Sequence, residues 1–156
     1  MKPTMNRKDL LTKDDIWNAV ISVVCACDLP TTDSILGEAF IAFHYYSELE
    51  SGGHETLLSW TESYSKEHGI ERYLNELITA LEKIGAHDYA MIERKYGHEM
   101  WNVYIALEND ASQEEEFYKV IEKADGEYYQ LDGKLEQLVE AYFIKIHTDL
   151  IDVVDD

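Results

Sequence analysis

Apolar side chains recur at helical spacing along most of the chain, and this periodicity constrains the fold more than any other feature. The clearest case lies between Gly69 and Gly85, where apolar residues fall three or four positions apart: Tyr73, Leu74, Leu77, Ile78, Leu81 and Ile84. Charged and amide side chains occupy the opposite face of this segment. Such a stripe predicts an amphipathic helix that buries one side against the rest of the protein.

Start and stop signals divide the first half of the chain into further helices. Thr12 with Asp15 three residues later predicts a helix start, and Thr31 or Thr32 is expected to cap a second, largely apolar helix. Gly52 and Gly53 predict the end of that second helix. We expect these two glycines to adopt backbone angles that other residues avoid.

The second half of the chain carries similar signals. Gly97 and Gly126 are expected to end helices, and the segment 99–108 suits either a helix or a strand. Ser112 with Glu115 has the spacing of a capping box, and Asp132 is expected to cap the last helix.

These segments predict an all-α protein: a single compact domain over residues 1–156, with about six to eight short helices. The 156 residues, 46% of them hydrophobic, are enough for one core and too few for two ordinary domains. We expect the acidic tail, residues 148–156, to fray.

The charge balance restricts the choice of partner. The chain has 32 acidic and 13 basic residues, and its formal net charge is -19. Direct binding of nucleic acid requires a basic surface, and docking on anionic lipid requires basic segments, so neither is expected. A basic protein is the partner that the charge predicts, and a homodimer is left open.

The acids form two blocks that contain few lysines or arginines and flank a more balanced middle. Nine acids and no lysine or arginine lie between Asp14 and Ser65, and 15 acids with four lysines lie from Glu108 onwards. Carboxylates on one helix face, about 5–6 Å apart, would repel each other unless a basic surface meets them. The candidate partner-binding residues are Glu48, Glu50, Glu55, Glu62, Glu114, Glu115 and Glu116.

No pattern typical of an enzyme is found. His-Glu occurs at His54 and His98, but the second histidine of a zinc-protease motif is absent at Leu58 and Asn102. We therefore expect no catalytic site, metal or cofactor, and histidines that lie mostly at the surface.

The remaining expectations concern location and thiols. An apolar run follows the basic N-terminal residues, but Asp14 and Asp15 directly precede it and Asn18 interrupts it, unlike in a signal peptide. No apolar run is long enough to span a membrane. A cytoplasmic protein is expected. Cys25 and Cys27 are expected to be buried thiols without a disulfide.

Three blocks resemble a bacterial family of helical domains that includes a DNA-mimic protein. The run from Tyr45 to Gly53 resembles its Glu-x-x-Asn-Gly-Gly-Phe signature, with Ser51 in place of Asn and His54 in place of Phe. Residues 80–86 resemble a second block, and residues 124–129 with the last helix through His147 resemble the C-terminal part. The resemblance covers about residues 40–147.

The resemblance implies a helical fold and a non-enzymatic role. The DNA-mimic member uses surface carboxylates to occupy the DNA-binding face of a transcription regulator, and Glu48 is the acid that the alignment carries over to this chain. Two alternatives stay open: an immunity protein that neutralises a basic toxin such as a nuclease, and an acidic helical interaction module with another partner. All three roles use electrostatic complementarity.

Overall fold

The helical periodicity of the sequence is realised along nearly the whole chain. The computed structural model describes residues 2–155. Within this range six α-helices form one compact domain: α1 (Lys13–Cys25), α2 (Ser34–His68), α3 (Ile70–Lys83), α4 (His87–Asn109), α5 (Glu114–Tyr129) and α6 (Lys134–Leu150). Two short strands, β1 (Thr4–Asn6) and β2 (Asp152–Val154), lie near the chain ends. The all-α prediction is confirmed.

The apolar second helix is the centre of the domain. Helix α2 packs against α1, α3, α5 and α6, while α4 lies between α3 and α5. Tyr45 and Leu49 of α2 are completely buried, as are Leu77 and Leu81 of α3 and Phe143 of α6. A helix that is apolar on most faces is stable only in such a position, because each face then meets another element.

The diglycine kinks α2 rather than separating two helices by a loop. Gly53 has a φ of 73°, which favours glycine, whereas Gly52 has a φ of -163°, which any residue adopts. A side chain at Gly53 would also collide with the carboxylate of Asp125, since its Cβ would lie 2.6 Å from Oδ2. The special backbone requirement therefore applies to Gly53 and not to Gly52.

The predicted helix ends at Gly97 and Gly126 are wrong, because both residues lie inside continuous helices. Helix α4 runs through Gly97 to Asn109, which also assigns the ambiguous segment 99–108 to a helix. A Cβ at Gly97 would lie 2.8 Å from Cδ2 of Leu74, so this glycine permits close packing of α4 on α3. Gly126 has no such neighbour.

Helix caps follow the sequence at α1 and depart from it elsewhere. The amide of Asp15 donates to Oγ1 of Thr12 and the amide of Thr12 donates to Oδ2 of Asp15. This capping box confirms the predicted helix start. Asp33, rather than Thr31 or Thr32, caps α2 by accepting hydrogen bonds from the amides of Ile35 and Leu36.

The last two caps are also corrected. Asp110 accepts from the amide and the hydroxyl of Ser112, so Ser112 lies inside a short 3₁₀ turn and does not form a capping box with Glu115. Gly133, with a φ of 72°, precedes α6 in place of a capping Asp132. Neither α5 nor α6 therefore begins with a side-chain cap.

The expected fraying of the acidic tail is wrong for the part that the structure describes. Helix α6 extends to Leu150, and β2 then pairs in parallel with β1, with Met5 opposite Val153. Ile151, between α6 and β2, is buried against the domain.

The cysteine prediction is wrong in part. Cys25 and Cys27 form no disulfide, but Cys25 is exposed and Cys27 is only partly buried.

Among residues 2–155, no helix is long and apolar enough to cross a membrane.

Candidate functional site

Acids from three helices come together along one side of the domain. The hydroxyl of Tyr118 donates to Oε1 of Glu55 at 3.0 Å, and the hydroxyl of Tyr104 donates to Oε1 of Glu62 at 3.0 Å. These contacts join the second half of α2 to α4 and α5. We call the four acids that line this junction the acidic edge; they are Glu55, Glu62, Glu108 and Glu114.

Electrostatic effects link the remaining members of the acidic edge. The hydrogen bond to Glu55 raises the pKa of Tyr118, and the charge of Glu114 adds to the shift. Lys66 lies between Glu62 and Glu108, with Nζ–O distances of 3.6 and 3.1 Å, and the hydrogen bond to Glu108 raises its pKa. One lysine thus compensates part of the charge of four carboxylates.

A second acidic group lies on the other side of the kink. Burial raises the pKa of Tyr46, and the charges of Glu136 and Glu50 raise it further. Burial likewise raises the pKa of Tyr89, and Glu50, Asp88 and Asp132 add to that shift. The second acidic group is therefore Glu50, Asp88, Asp132 and Glu136, drawn from α2, α4, the loop before α6 and α6.

Many of the basic side chains are already paired within the protein. The carboxylates that engage them lie mostly outside the two acidic groups; the pairs are Arg7–Asp155, Arg72–Glu76, Lys83–Glu38, Arg94–Glu82 and Lys95–Glu127. Because these acids are compensated locally, the uncompensated negative charge is concentrated on the other acids, including Glu50 and the first turn of α5.

The structure separates the seven acids proposed from the sequence. Glu55, Glu62 and Glu114 belong to the acidic edge, and Glu50 belongs to the second acidic group. Glu115 and Glu116 are exposed on the first turn of α5, where the positive end of the helix dipole stabilises carboxylates. Glu48 is half-buried, and its burial raises the pKa of its carboxyl group.

Beneath the surface lies a network that the sequence did not predict. His54, completely buried, places Nε2 2.7 Å from Oε2 of Glu93 and Nδ1 2.6 Å from Oδ1 of Asp125. Tyr45 donates its hydroxyl to the same oxygen of Glu93 at 2.7 Å, and the backbone amide of His54 donates to Asp125 at 2.9 Å. The network joins both halves of α2 to α4 and α5.

The two carboxylates favour a charged imidazole. Burial by itself lowers the pKa of His54, but the charge of Glu93 and the hydrogen bonds to Asp125 and Glu93 outweigh it and raise the pKa to about 9. His54 is therefore an imidazolium at neutral pH that donates to both carboxylates. Breaking such a buried ion pair by removing one partner costs about 3–5 kcal/mol, so the network fixes the kink against α4 and α5.

His54 is an exception to the expectation that the histidines lie mostly at the surface. Both ring nitrogens are engaged and the side chain has no exposed surface, so the network is built for structure rather than for contact with a substrate. Within residues 2–155, no group of three or more histidine, cysteine or acidic side chains is arranged to hold a metal ion.

One sequence signal could have revealed the network. Glu93 lies at helical spacing among the buried residues Tyr89, Ala90 and Tyr96 of α4, and a carboxylate on an apolar face requires a partner. Its partner His54 lies 39 positions away along the chain. Asp125, the other carboxylate partner of His54, lies 71 positions from His54, so only the tertiary fold brings the three residues together.

Comparison with known proteins adds a family. No curated protein and no solved structure shows significant similarity to the chain. The family model described as DMP19-like protein matches residues 34–147, from the start of α2 to the last turn of α6. This range contains the kink, both acidic groups and the buried network, and the chain therefore belongs to the DMP19-like protein family.

Proposed function

We propose that this protein is a DNA-mimic-like binding protein whose surface carboxylates occupy the basic, nucleic-acid-binding face of a partner such as a transcription regulator. The single observation that carries the proposal is the acidic edge, where α2, α4 and α5 together present four carboxylates with one lysine among them. Membership of the DMP19-like family supports this proposal, because DNA mimicry is the role associated with that family.

The acidic edge presents charges from more than one helix to a partner. Glu55 and Glu62 lie seven positions apart on α2, or about 10 Å along the helix axis, and Glu114 adds a third charge from α5. Lysine and arginine side chains that bind phosphates would face carboxylates instead. The proposal gives the protein no catalytic step, and it places the protein in the cytoplasm, where a bacterial regulator binds DNA.

Recovery of the native partner is the first experiment. The protein is immobilised and exposed to a native extract at low salt, and the bound proteins are eluted with rising salt. We expect a DNA-binding regulator that elutes at moderate salt, because screening weakens contacts between charged surfaces. A basic toxin in its place would support the immunity role and contradict mimicry of regulator DNA.

Charge variants then test the acidic edge directly. The triple variant Glu55→Gln, Glu62→Gln, Glu114→Gln should weaken partner binding by about tenfold or more, since each desolvated charge pair can contribute above 1 kcal/mol. The control variant Asp14→Asn, Glu71→Gln, Asp149→Asn removes three exposed charges from α1, α3 and α6 and should weaken binding much less. DNA carrying the regulator's site should compete with this protein.

Equal losses in both variants would show that net charge, and not the acidic edge, governs binding. Binding that ignores both variants and does not change with salt would contradict the proposed function.

A further inference from the structure

A small aromatic cavity lies beside the last turns of α2, and none of its lining residues forms a contact that defines the acidic edge. It has a volume of about 240 Å³, which suits one side chain rather than a larger ligand. Rings from α2 and α3 form much of its lining: Phe40, Trp60, Tyr64 and Tyr73. Thr61 and Glu67 add a hydroxyl and a carboxylate.

The rings are arranged as neighbours around one space. Ring centroids are 5.8 Å apart for Phe40 and Trp60, 6.3 Å for Trp60 and Tyr73, and 6.3 Å for Tyr64 and Tyr73. His44 stacks on Trp60 at 4.8 Å, and its partial burial lowers its pKa, so it adds no positive charge at neutral pH. Aromatic faces of this kind attract cations.

Two further features give the cavity a negative potential. The carboxylate of Glu67 lines it, and its side chain is 76% exposed and able to move towards a ligand. The cavity lies beside the C-terminal end of α2, where the helix dipole is negative. Glu76, which accepts a hydrogen bond from Tyr64 at 2.9 Å, adds little to this potential, because Arg72 compensates its charge.

One buried polar atom lacks a partner here. The hydroxyl of Tyr73 is buried and forms no hydrogen bond to any of residues 2–155. Burial raises the pKa of Tyr73 strongly, and the charges of Glu93, Glu48 and Glu76 act in the same direction, so its surroundings are electronegative. Because this hydroxyl has almost no accessible surface, a ligand in the cavity would contact the ring of Tyr73 and not its hydroxyl.

We infer that this cavity receives an arginine side chain of the basic partner, and this inference rests on the proposed function. The planar guanidinium stacks on aromatic rings and donates N–H groups to carboxylate and hydroxyl oxygens, which matches the lining. A lysine ammonium is more strongly hydrated and does not stack, and a quaternary ammonium has no N–H group for Glu67.

The first test uses small probes and the full-length protein. N-acetyl-arginine methylamide is titrated while the NMR signals of Trp60 and Tyr64 are followed, and N-acetyl-citrulline methylamide serves as the neutral control of the same shape. We expect arginine to bind about threefold to tenfold more tightly than citrulline, as cation–π contacts predict. Equal binding, or tighter binding of tetramethylammonium, would overturn the arginine assignment.

Two variants connect the cavity to the partner. Glu67→Gln should weaken both arginine binding and partner binding, whereas the control Glu99→Gln, on an exposed site of α4 that does not line the cavity, should weaken neither. Tyr73→Phe keeps the ring and removes the unsatisfied hydroxyl. It should preserve folding and leave arginine binding unchanged, because the ring of Tyr73 and not its hydroxyl faces the cavity.

The two proposals fail in different ways. If partner binding depends on the acidic edge while arginine leaves the Trp60 signals unchanged and Glu67→Gln behaves like Glu99→Gln, the cavity inference is overturned alone. If partner binding ignores the acidic edge and salt, the proposed function itself is contradicted.

Discussion

At the scale of single residues, His54 connects the geometry of the kink to pH. Its two ring nitrogens lie between the carboxylates of Glu93 and Asp125, and the resulting ion pairs raise its pKa to about 9. An unfolded histidine titrates near 6.5. The folded protein therefore keeps a proton on His54 over a pH range in which the unfolded chain has already lost it.

This difference predicts how stability depends on pH. The contribution of His54 is fully present below about pH 6.5 and is lost as pH rises towards 9, because only the folded state still binds the proton in that interval. The loss should be on the order of 3 kcal/mol for a shift of this size. Urea unfolding at pH 6, 7, 8, 9 and 10 measures it, with ¹⁵N NMR of the ring as an independent readout.

The substitution His54→Gln provides the comparison. It should lower stability at pH 7, since Glu93 becomes a buried charge without a cation, and it should flatten the pH dependence between 7 and 9. A ring that NMR shows to be neutral in the folded protein at pH 7 would contradict the charged network.

At the scale of elements, the glycines show why some helix boundaries could be predicted and others could not. Gly53 has a positive φ and faces Asp125, so its break in α2 coincides with a local signal in the sequence. Gly97 and Gly126 lie inside continuous helices, between residues that are also helical. Whether a helix continues through a glycine depends on the tertiary contacts of the residues on both sides.

Other elements can likewise be divided into those that a local sequence pattern predicts and those that depend on the tertiary fold. The capping box of Thr12 and Asp15 is local and was predictable from spacing alone. The pairing of β1 with β2 joins segments of three residues from opposite ends of the chain, and no local pattern specifies it. The candidate acids could be found from the sequence, but their division into an acidic edge and a second group required the packing of α2 against α5 and α6.

Gly97 and Gly126 form a matched pair for measuring this context. Gly126→Ala should raise the free energy of unfolding by about 0.5–1 kcal/mol, because alanine favours the helix and nothing obstructs its methyl group. Gly97→Ala should lower it by about 1 kcal/mol, because the buried Leu74 must move, which costs more than the helix propensity returns. Urea denaturation of both variants provides the comparison. Equal stabilisation by both would show that Leu74 yields freely.

At the scale of the whole molecule, the same charges act in opposite directions on folding and on binding. The net charge of -19 produces repulsion within the free protein, and exposed ion pairs, worth about 0–1 kcal/mol each, offset only part of it. Added salt screens both the repulsion and the ion pairs. Because the charge is unbalanced, the repulsion is the larger of the two effects. A basic partner would relieve that repulsion, so salt should stabilise the free protein while it weakens the complex.

Two glutamates of α2 allow the balance to be measured with one kind of substitution. Glu50 is exposed near the end of the first half of α2, among other acids and at the negative end of a helix dipole, so Glu50→Gln should raise stability by about 0.5 kcal/mol at low salt. Glu38 pairs with Lys83 at 2.6 Å and accepts a hydrogen bond from Tyr142 at 3.1 Å, so Glu38→Gln should lower stability by a similar amount, about 0.5 kcal/mol.

Both effects should shrink between about 10 and about 200 mM salt, as screening requires. Urea is the denaturant of choice because guanidinium chloride would itself screen the charges. Wild-type stability that falls with salt would mean that the ion pairs, rather than the repulsion, dominate the electrostatics of the free protein.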